Sequence, residues 1–316
     1  MFRLTARRGP STIESVMRTI RTILVVGTLL VISVSASAFD EMLEEIDDLH
    51  ADERYELVFN RIDAAEASAR TNAQRAQLAW RRARSHLAGV DRRLAADEID
   101  DSEAADLFAE GEEMAQVAID NDPNLAEGWF WKAANKGRRG QARGVLNSLF
   151  MASDVRDLAF EAIALDEDLT EPYFLLGVMY RELPGGIISF GDDQKAVSLA
   201  RLAVDRHEED RSRGDVDRVY YNYYIELAHN LWERNWSERR RGNRHSSIRS
   251  DYRSADSNLD RAFNYEGSVR IPNQSDREEA LELLESVIDE IESLPRPSQG
   301  ELDDLADARE LWDDWN

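Results

Sequence analysis

Three observations predict an all-α fold, a solenoid of helical hairpins with insertions. From Phe39 onward proline is rare, Ala, Leu, Glu and Arg dominate, and no stretch sustains the two-residue apolar alternation of a strand. Residues 158–204 set two small-residue helices, around Ala159–Ala164 and Ala196–Val204, on either side of a third that carries Tyr173, Leu176, Gly177 and Tyr180. Aromatic residues comparable to Tyr173 recur at Trp80, Trp129 and Tyr224. The small residues let neighbouring helices approach, and the aromatics fill the gaps between them.

The chain has 316 residues, with 63 acidic side chains against 39 basic ones and a formal charge of −24. Three of the basic residues are lysines: Lys132, Lys136 and Lys195. Nucleic acid is excluded as an expected partner, because its phosphates would be repelled. There is no cysteine, so disulfides, zinc–thiolate sites and thiol nucleophiles are excluded.

In chain order, residues 1–38 read as a secretory signal peptide. Arg18 and Arg21 precede an apolar run from Ile23 to Val34, and Ala36-Ser37-Ala38 supplies a small-x-small cleavage pattern. The run is short for a membrane span, so the expected mature chain does not cross a membrane. Export implies the periplasm, with secretion as the alternative. Residues 39–295 read as the helical domain and residues 296–316 as an acidic C-terminal tail.

Helices are expected at Asp40–Leu49, Tyr55–Ala69, Ala73–Leu87 and Ser102–Asp120, the last capped by Ser102. Asp122-Pro123 then makes a turn before a helix around Trp129. Gln141–Met151 reads as an insertion or lid, and Asp154–Leu165 as the next helix. Arg206–Asp217 reads as a linker and Val219–Trp236 as a helix. Arg239–Arg244 reads as a basic loop, and Ser254–Phe263 and Asp276–Ile291 complete the helical run.

Tyr173, Leu176, Gly177 and Tyr180 resemble the signature of the tetratricopeptide repeat, and the resemblance implies a right-handed α-solenoid. Trp129 matches it fairly, and Trp80 and Tyr224 weakly. The aromatics lie 44 to 51 residues apart, so the array is a lengthened version of that repeat. The pieces AEGWFWKAANKG, IALDEDL, FLLGVMYRELP and GGIISFGDDQKAVSLARLAV further resemble the T component of TRAP transporters. Leu183-Pro184 followed by Ser189-Phe190-Gly191-Asp192 and Ala196 is the most specific portion. The same segment is similar to bacterial relatives of the regulator-of-microtubule-dynamics family. The resemblance implies a periplasmic accessory that associates with a solute-binding protein. Lipid tethering, usual for T components, has no cysteine to use here.

No catalytic constellation is expected. The five histidines form no HExxH pair and no triad, and His207-Glu208-Glu209-Asp210 reads as a solvated charge run. Gly185-Gly186…Gly191 lacks the Lys-Ser/Thr of a phosphate loop and reads as a turn, with Ser189 or Asp192 capping the next helix. No metal and no cofactor are expected. The candidate partner- or ligand-binding residues are Trp129, Trp131, Lys132, Asn135, Lys136 and Tyr180. Lys132 and Lys136 are four apart and share a helix face with Asn135 beside them, a cationic-amide patch suited to a carboxylate. The expected function is a non-enzymatic scaffold for another periplasmic protein. The alternatives are a carrier enclosing an apolar or acidic molecule, with Trp129, Trp131 and Tyr180 lining its cavity, or an envelope-assembly scaffold.

Overall fold

The computed structural model describes residues 38–186, 189–214 and 216–316. The expected signal peptide lies outside the described residues except for Ala38. Ile187 and Ile188 of the glycine-rich turn, and Asp215, lie outside them too. The described residues are all-α and contain no strand, only an isolated bridge between Gly185 and Gly191. None of their helices is long and apolar enough to cross a membrane.

Two compact units divide between Arg70 and Thr71. The first holds α1 (38–51) and α2 (Tyr55–Glu66). Ile46, Val58, Ile62 and Ala65 are buried in it. Arg61 Nη2 pairs with Glu45 Oε2 at 2.6 Å, and the His50 ring lies 5.5 Å from that of Tyr55.

The second unit is an array of hairpins. Its helices are α3 (Asn72–Ala95), α4 (Asp101–Asn121), α5 (Ala126–Ala142), α6 (Val145–Leu165), α7 (Glu171–Glu182), α8 (Asp193–Arg213) and α9 (Tyr221–Arg234). They continue with α10 (Glu238–Ser254), α11 (Asn258–Phe263), a 3-10 turn at Tyr265–Gly267, α12 (Asp276–Ser293) and α13 (Gln299–Trp315). The hairpins are α3/α4, α5/α6, α7/α8 and α9/α12. The first helices of the hairpins, α3, α5, α7 and α9, touch in succession, and α13 continues that layer beyond α9. The second helices, α4, α6, α8 and α12, each also pack on the first helix that follows. A solenoid-like stack results, in which each hairpin buries its apolar stripe against its neighbours.

Local chemistry sets the helix ends. Thr71, Ser275 and Ser298 each form a capping box with the Gln or Glu three residues on. Asp100, rather than the expected Ser102, caps α4 by accepting from the Glu103 N–H at 2.9 Å. Asp192 caps α8 by accepting from the Gln194 and Lys195 N–H groups. The expected insertion at Gln141–Met151 is not separate. It is the end of α5, a turn at Gly144 with φ +90°, and the first two turns of α6. A left-handed φ lets the chain reverse there with no linker. Most of the expected linker at Arg206–Asp217 is likewise helix, since α8 runs to Arg213.

The signature residues do the packing that their types suggest. Tyr173, Leu176 and Tyr180 are buried with Leu199 and Ala203 of α8. A Cβ on Gly177 would stand 3.4 Å from the Ala200 backbone nitrogen and 3.6 Å from the Ala196 carbonyl oxygen, so α7 and α8 approach to contact distance here. The acidic tail docks back as α13. Leu305 and Ala308 join the core of α9 and α12, and Trp315 stacks on Trp232 with ring centroids 4.4 Å apart and planes 3° from parallel.

The basic stretch Arg239–Arg244 is not a loop. It lies in α10, started by Ser237 and held by a buried ionic cluster. Arg234 donates to both oxygens of Glu266, at 2.5 and 2.9 Å, and to both oxygens of Asp276, at 2.8 Å each. Arg241 pairs with Glu279 and, at 3.1 Å, with Asp276, and it donates to the Gln274 carbonyl at 3.0 Å. Arg201 donates to Glu279 at 2.9 Å. Three guanidinium groups thus face three carboxylates, all six buried, and α10 is anchored by Arg241 and Ile248 rather than by an apolar stripe.

Candidate functional site

Five of the six sequence-nominated residues lie on α5. Trp129 is half-buried, and its Nε1–H donates to the Pro123 carbonyl at 2.9 Å, closing the turn between α4 and α5. Trp131 is half-buried against Trp80, Ala79 and Ala118, its ring edge-on to Phe130 at 4.8 Å. Lys132 donates to Gln116 Oε1 of α4, and Lys136 to Asp154 Oδ2 of α6 at 2.7 Å. Farther along the helix, Arg139 meets Glu112 at 2.8 Å. The two lysines therefore face α4 and α6 across the hairpin stack, and both remain partly exposed.

Asn135 does not complete a surface patch with them. It is fully buried, its amide donating to the Trp131 carbonyl at 2.8 Å and lying 3.5 Å from that of Ala83. Its Oδ1 rests on Gly111, where a Cβ would come within 1.9 Å. The electrostatics fit this zipper. Burial raises the Glu112 carboxyl above its ordinary range, partly offset by Arg139, Lys136, Lys132 and Arg143. The hydrogen bond and charge of Lys136 lower that of Asp154.

Tyr180 belongs elsewhere. It is buried between Phe190 and Phe263, each 5.2 Å away, with Lys195 Nζ 5.4 Å from its ring centroid. Burial pushes its hydroxyl up to about 12. Trp131 and Tyr180 thus pack in separate clusters, and Trp129 caps a turn, so the three line no common cavity. The histidines are bound into the fold. His207, expected in a solvated charge run, is buried; its Nε2 accepts from the Tyr220 N–H at 3.0 Å. Burial lowers its ordinary pKa, and nearby Arg211 adds to the effect.

Two surfaces escaped the sequence reading. The first is the tip of the α5/α6 hairpin. Val145, Leu146 and Phe150 are 77, 71 and 81% exposed, far above the other large apolar side chains of the described residues. Only the expected lid at Gln141–Met151 pointed towards them. The second is a cleft of about 310 Å³ among α7, α9 and α13, floored by Phe174, Ile225 and Leu311 and edged by Asp304, Asp307 and His229. Burial, then the charges of Asp307 and Asp303, carries Asp304 up to about 7; burial, then Arg181, takes His229 down to about 4. Among the described residues no group of three or more His, Asp or Glu side chains is placed to hold a metal ion.

No curated protein matches the sequence. Residues 42–183, a little under half of the chain, match the family described as Regulator of microtubule dynamics protein 1-3. The matched span begins in α1, contains the α5/α6 hairpin with its exposed tip, and ends just after α7. Over that span the chain is similar to that family.

Proposed function

We propose that this chain is an exported, non-enzymatic, tetratricopeptide-like scaffold that binds a protein partner in the periplasm. The observation that carries the reading is the exposed apolar tip of α6. Three large side chains held in solvent on two turns of helix exceed the scatter normal for a monomer surface, and such patches mark association sites. Stacked hairpins supply the rigid frame that repeat proteins use to present such a surface. Trp129, Trp131, Lys132 and Lys136 lie on α5, the other helix of the same hairpin. The partner is a solute-binding protein and the role an accessory one in TRAP-type uptake. That identity rests on the sequence resemblance around Leu183-Pro184 and Ser189-Phe190-Gly191-Asp192.

The test is a pull-down from periplasmic extract with the native chain, a Leu146→Asp/Phe150→Asp variant and a Lys132→Glu/Lys136→Glu variant. Circular dichroism verifies that all three are folded. A solute-binding protein retained by the native chain and lost from the Leu146/Phe150 variant is the expected result. Equal retention by all three moves the binding surface away from α5/α6. Failure of the native chain to retain any solute-binding protein removes the transport role.

A further inference from the structure

The strongest unused feature is on α10, and it is independent of the partner reading above. This helix carries six arginines against Glu238 and Asp251, in a protein with a formal charge of −24. Many arginines of the described residues meet a carboxylate at hydrogen-bond distance, as Arg138 does with Asp91 and Arg206 with Asp168. Arg239, Arg249, Arg253 and Arg270 meet none among the described residues.

Arg239, Gly242, Ser246, Arg249 and Arg253 recur every three or four residues, so they share one face of the helix. The opposite face is fixed by buried Arg241 and Ile248, which turns this stripe outward. Two adjoining cavities, of about 540 and 580 Å³, open along it and share Gly242, His245 and Arg249. A side chain on Gly242 would meet nothing within 4 Å, so the floor of the groove is open space bounded by small residues. Arg270 reaches the same groove from the loop after the 3-10 turn. Glu238 contributes the one acidic side chain of the lining.

The groove is also held in shape. Arg249 Nε donates to the Gly267 carbonyl at 3.1 Å, leaving both terminal nitrogens of its guanidinium for a ligand. His245 Nε2 lies 3.1 and 3.0 Å from the Glu266 and Val269 carbonyls. Two carbonyl partners require a proton on that nitrogen. The 3-10 turn presses so closely on α10 that a Cβ on Gly267 would stand 2.5 Å from the Arg249 nitrogen. A guanidinium anchored through its Nε, with further arginines and serine hydroxyls beside it and Glu238 as the single acidic side chain of the lining, is an arrangement that suits oxyanions.

We infer that the α10 groove binds a small multivalent oxyanion, a ligand carrying two or more phosphate or carboxylate groups. Arg249 is its centre, Arg253 and Arg270 its near walls, and Arg239 its far end. Arg249 and Arg253 stand one turn apart, about 6 Å along the helix axis, a separation that two charged groups of one small ligand can bridge.

Isothermal titration of the full chain with inorganic pyrophosphate and, separately, with citrate, at matched ionic strength, tests the assignment. Saturable binding of either probe is expected, and the tighter of the two identifies the ligand as phosphate- or carboxylate-bearing. Arg249→Gln weakens it by about tenfold or more, as loss of a charge-assisted fork does. Arg239→Gln/Arg253→Gln, whose side chains make no hydrogen bond or ion pair among the described residues, weakens it as well and guards against a folding artefact. Arg244→Gln removes the same charge from the other side of the helix, where Arg244 lies over Trp236 at 5.9 Å, and leaves binding within about twofold. Absence of saturable binding of both probes at millimolar concentration, or an equal loss in Arg244→Gln, overturns the site.

Discussion

Replacing Arg234 by methionine tests whether the buried ionic cluster is what holds the C-terminal half together. The side chain is 1% exposed and makes four charge-assisted hydrogen bonds, two to Glu266 and two to Asp276. Removing one partner of a buried pair costs roughly 3–5 kcal/mol, because the carboxylates stay buried without their cation. Here the loss is partly cushioned. Asp276 keeps Arg241 Nε at 3.1 Å and the Trp236 N–H at 2.8 Å, and Glu266 keeps Arg201 at 3.7 Å. The lower end, about 3 kcal/mol, is therefore expected, equivalent to a fall in Tm of roughly 6–12 °C for a chain of this size. The deficit is also pH-dependent. Burial alone would raise the Glu266 carboxyl, but the charges of Arg234, Arg201 and Arg241 hold it below the ordinary range. In the native protein Glu266 thus contributes stability above about pH 4.5 that is lost as pH falls through its lowered pKa. In the variant the largest of these opposing charges is gone, so burial counts for more, the Glu266 carboxyl rises, and less stability is lost on acidification. The gap between variant and native protein narrows on acidification. Urea denaturation of both proteins at pH 7 and pH 4, with hydrogen exchange on α10, measures this. A loss below about 1 kcal/mol at pH 7, with α10 still protected, would refute the role given to the cluster.

Gly111→Ala drives a methyl group into Asn135 Oδ1, 1.9 Å from the new Cβ, and destabilises by about 1–3 kcal/mol. Adding Asn135→Ala recovers part of that in a double-mutant cycle read by urea midpoints. Asp304 has its pKa raised by burial and neighbouring acids from 3.8 to about 7, so its contribution is lost as pH rises through that range. Asp304→Asn accordingly matches the native stability near pH 4 and exceeds it by up to about 4 kcal/mol at pH 8, a pH series of thermal melts being the check. Trp315→Ala removes the stack on Trp232 and costs about 2–3 kcal/mol, seen as early melting in calorimetry; an unchanged transition would mean that α13 is not docked in solution.

What was legible in the sequence was whatever rests on apolar periodicity and small residues. Tyr173, Leu176, Gly177 and Tyr180 could be read because their types alone dictate a close helix approach. The α10 helix could not, because its anchorage is ionic. Arg241 looks like any other arginine until Glu279 and Asp276, 35 or more residues away, are brought beside it. The α5 patch illustrates a different limit. Lys132 and Lys136 stand at the positions that Leu176 and Tyr180 fill in α7, so once Trp129 is aligned with Tyr173 they are directed at neighbouring helices. Polarity pointed the reading outward, whereas the register points them to Gln116 and Asp154. The burial of Asn135 follows from Gly111, a residue that carries no signal by itself.

The hairpin α9/α12 is interrupted by α10, α11 and the 3-10 turn, and this shapes the order in which the chain can fold. The earlier hairpins join helices that follow each other directly, so each closes over a short loop. The last cannot close until α12 arrives, and the bond between Arg234 and Asp276 spans 42 residues. Closure entropy grows with that separation, and non-local contacts slow folding. The stack therefore grows readily from α3 to α8 and waits at α9. A chain stopped at that stage presents the open flank of α8 and α9, the surface that α12 and α13 later seal.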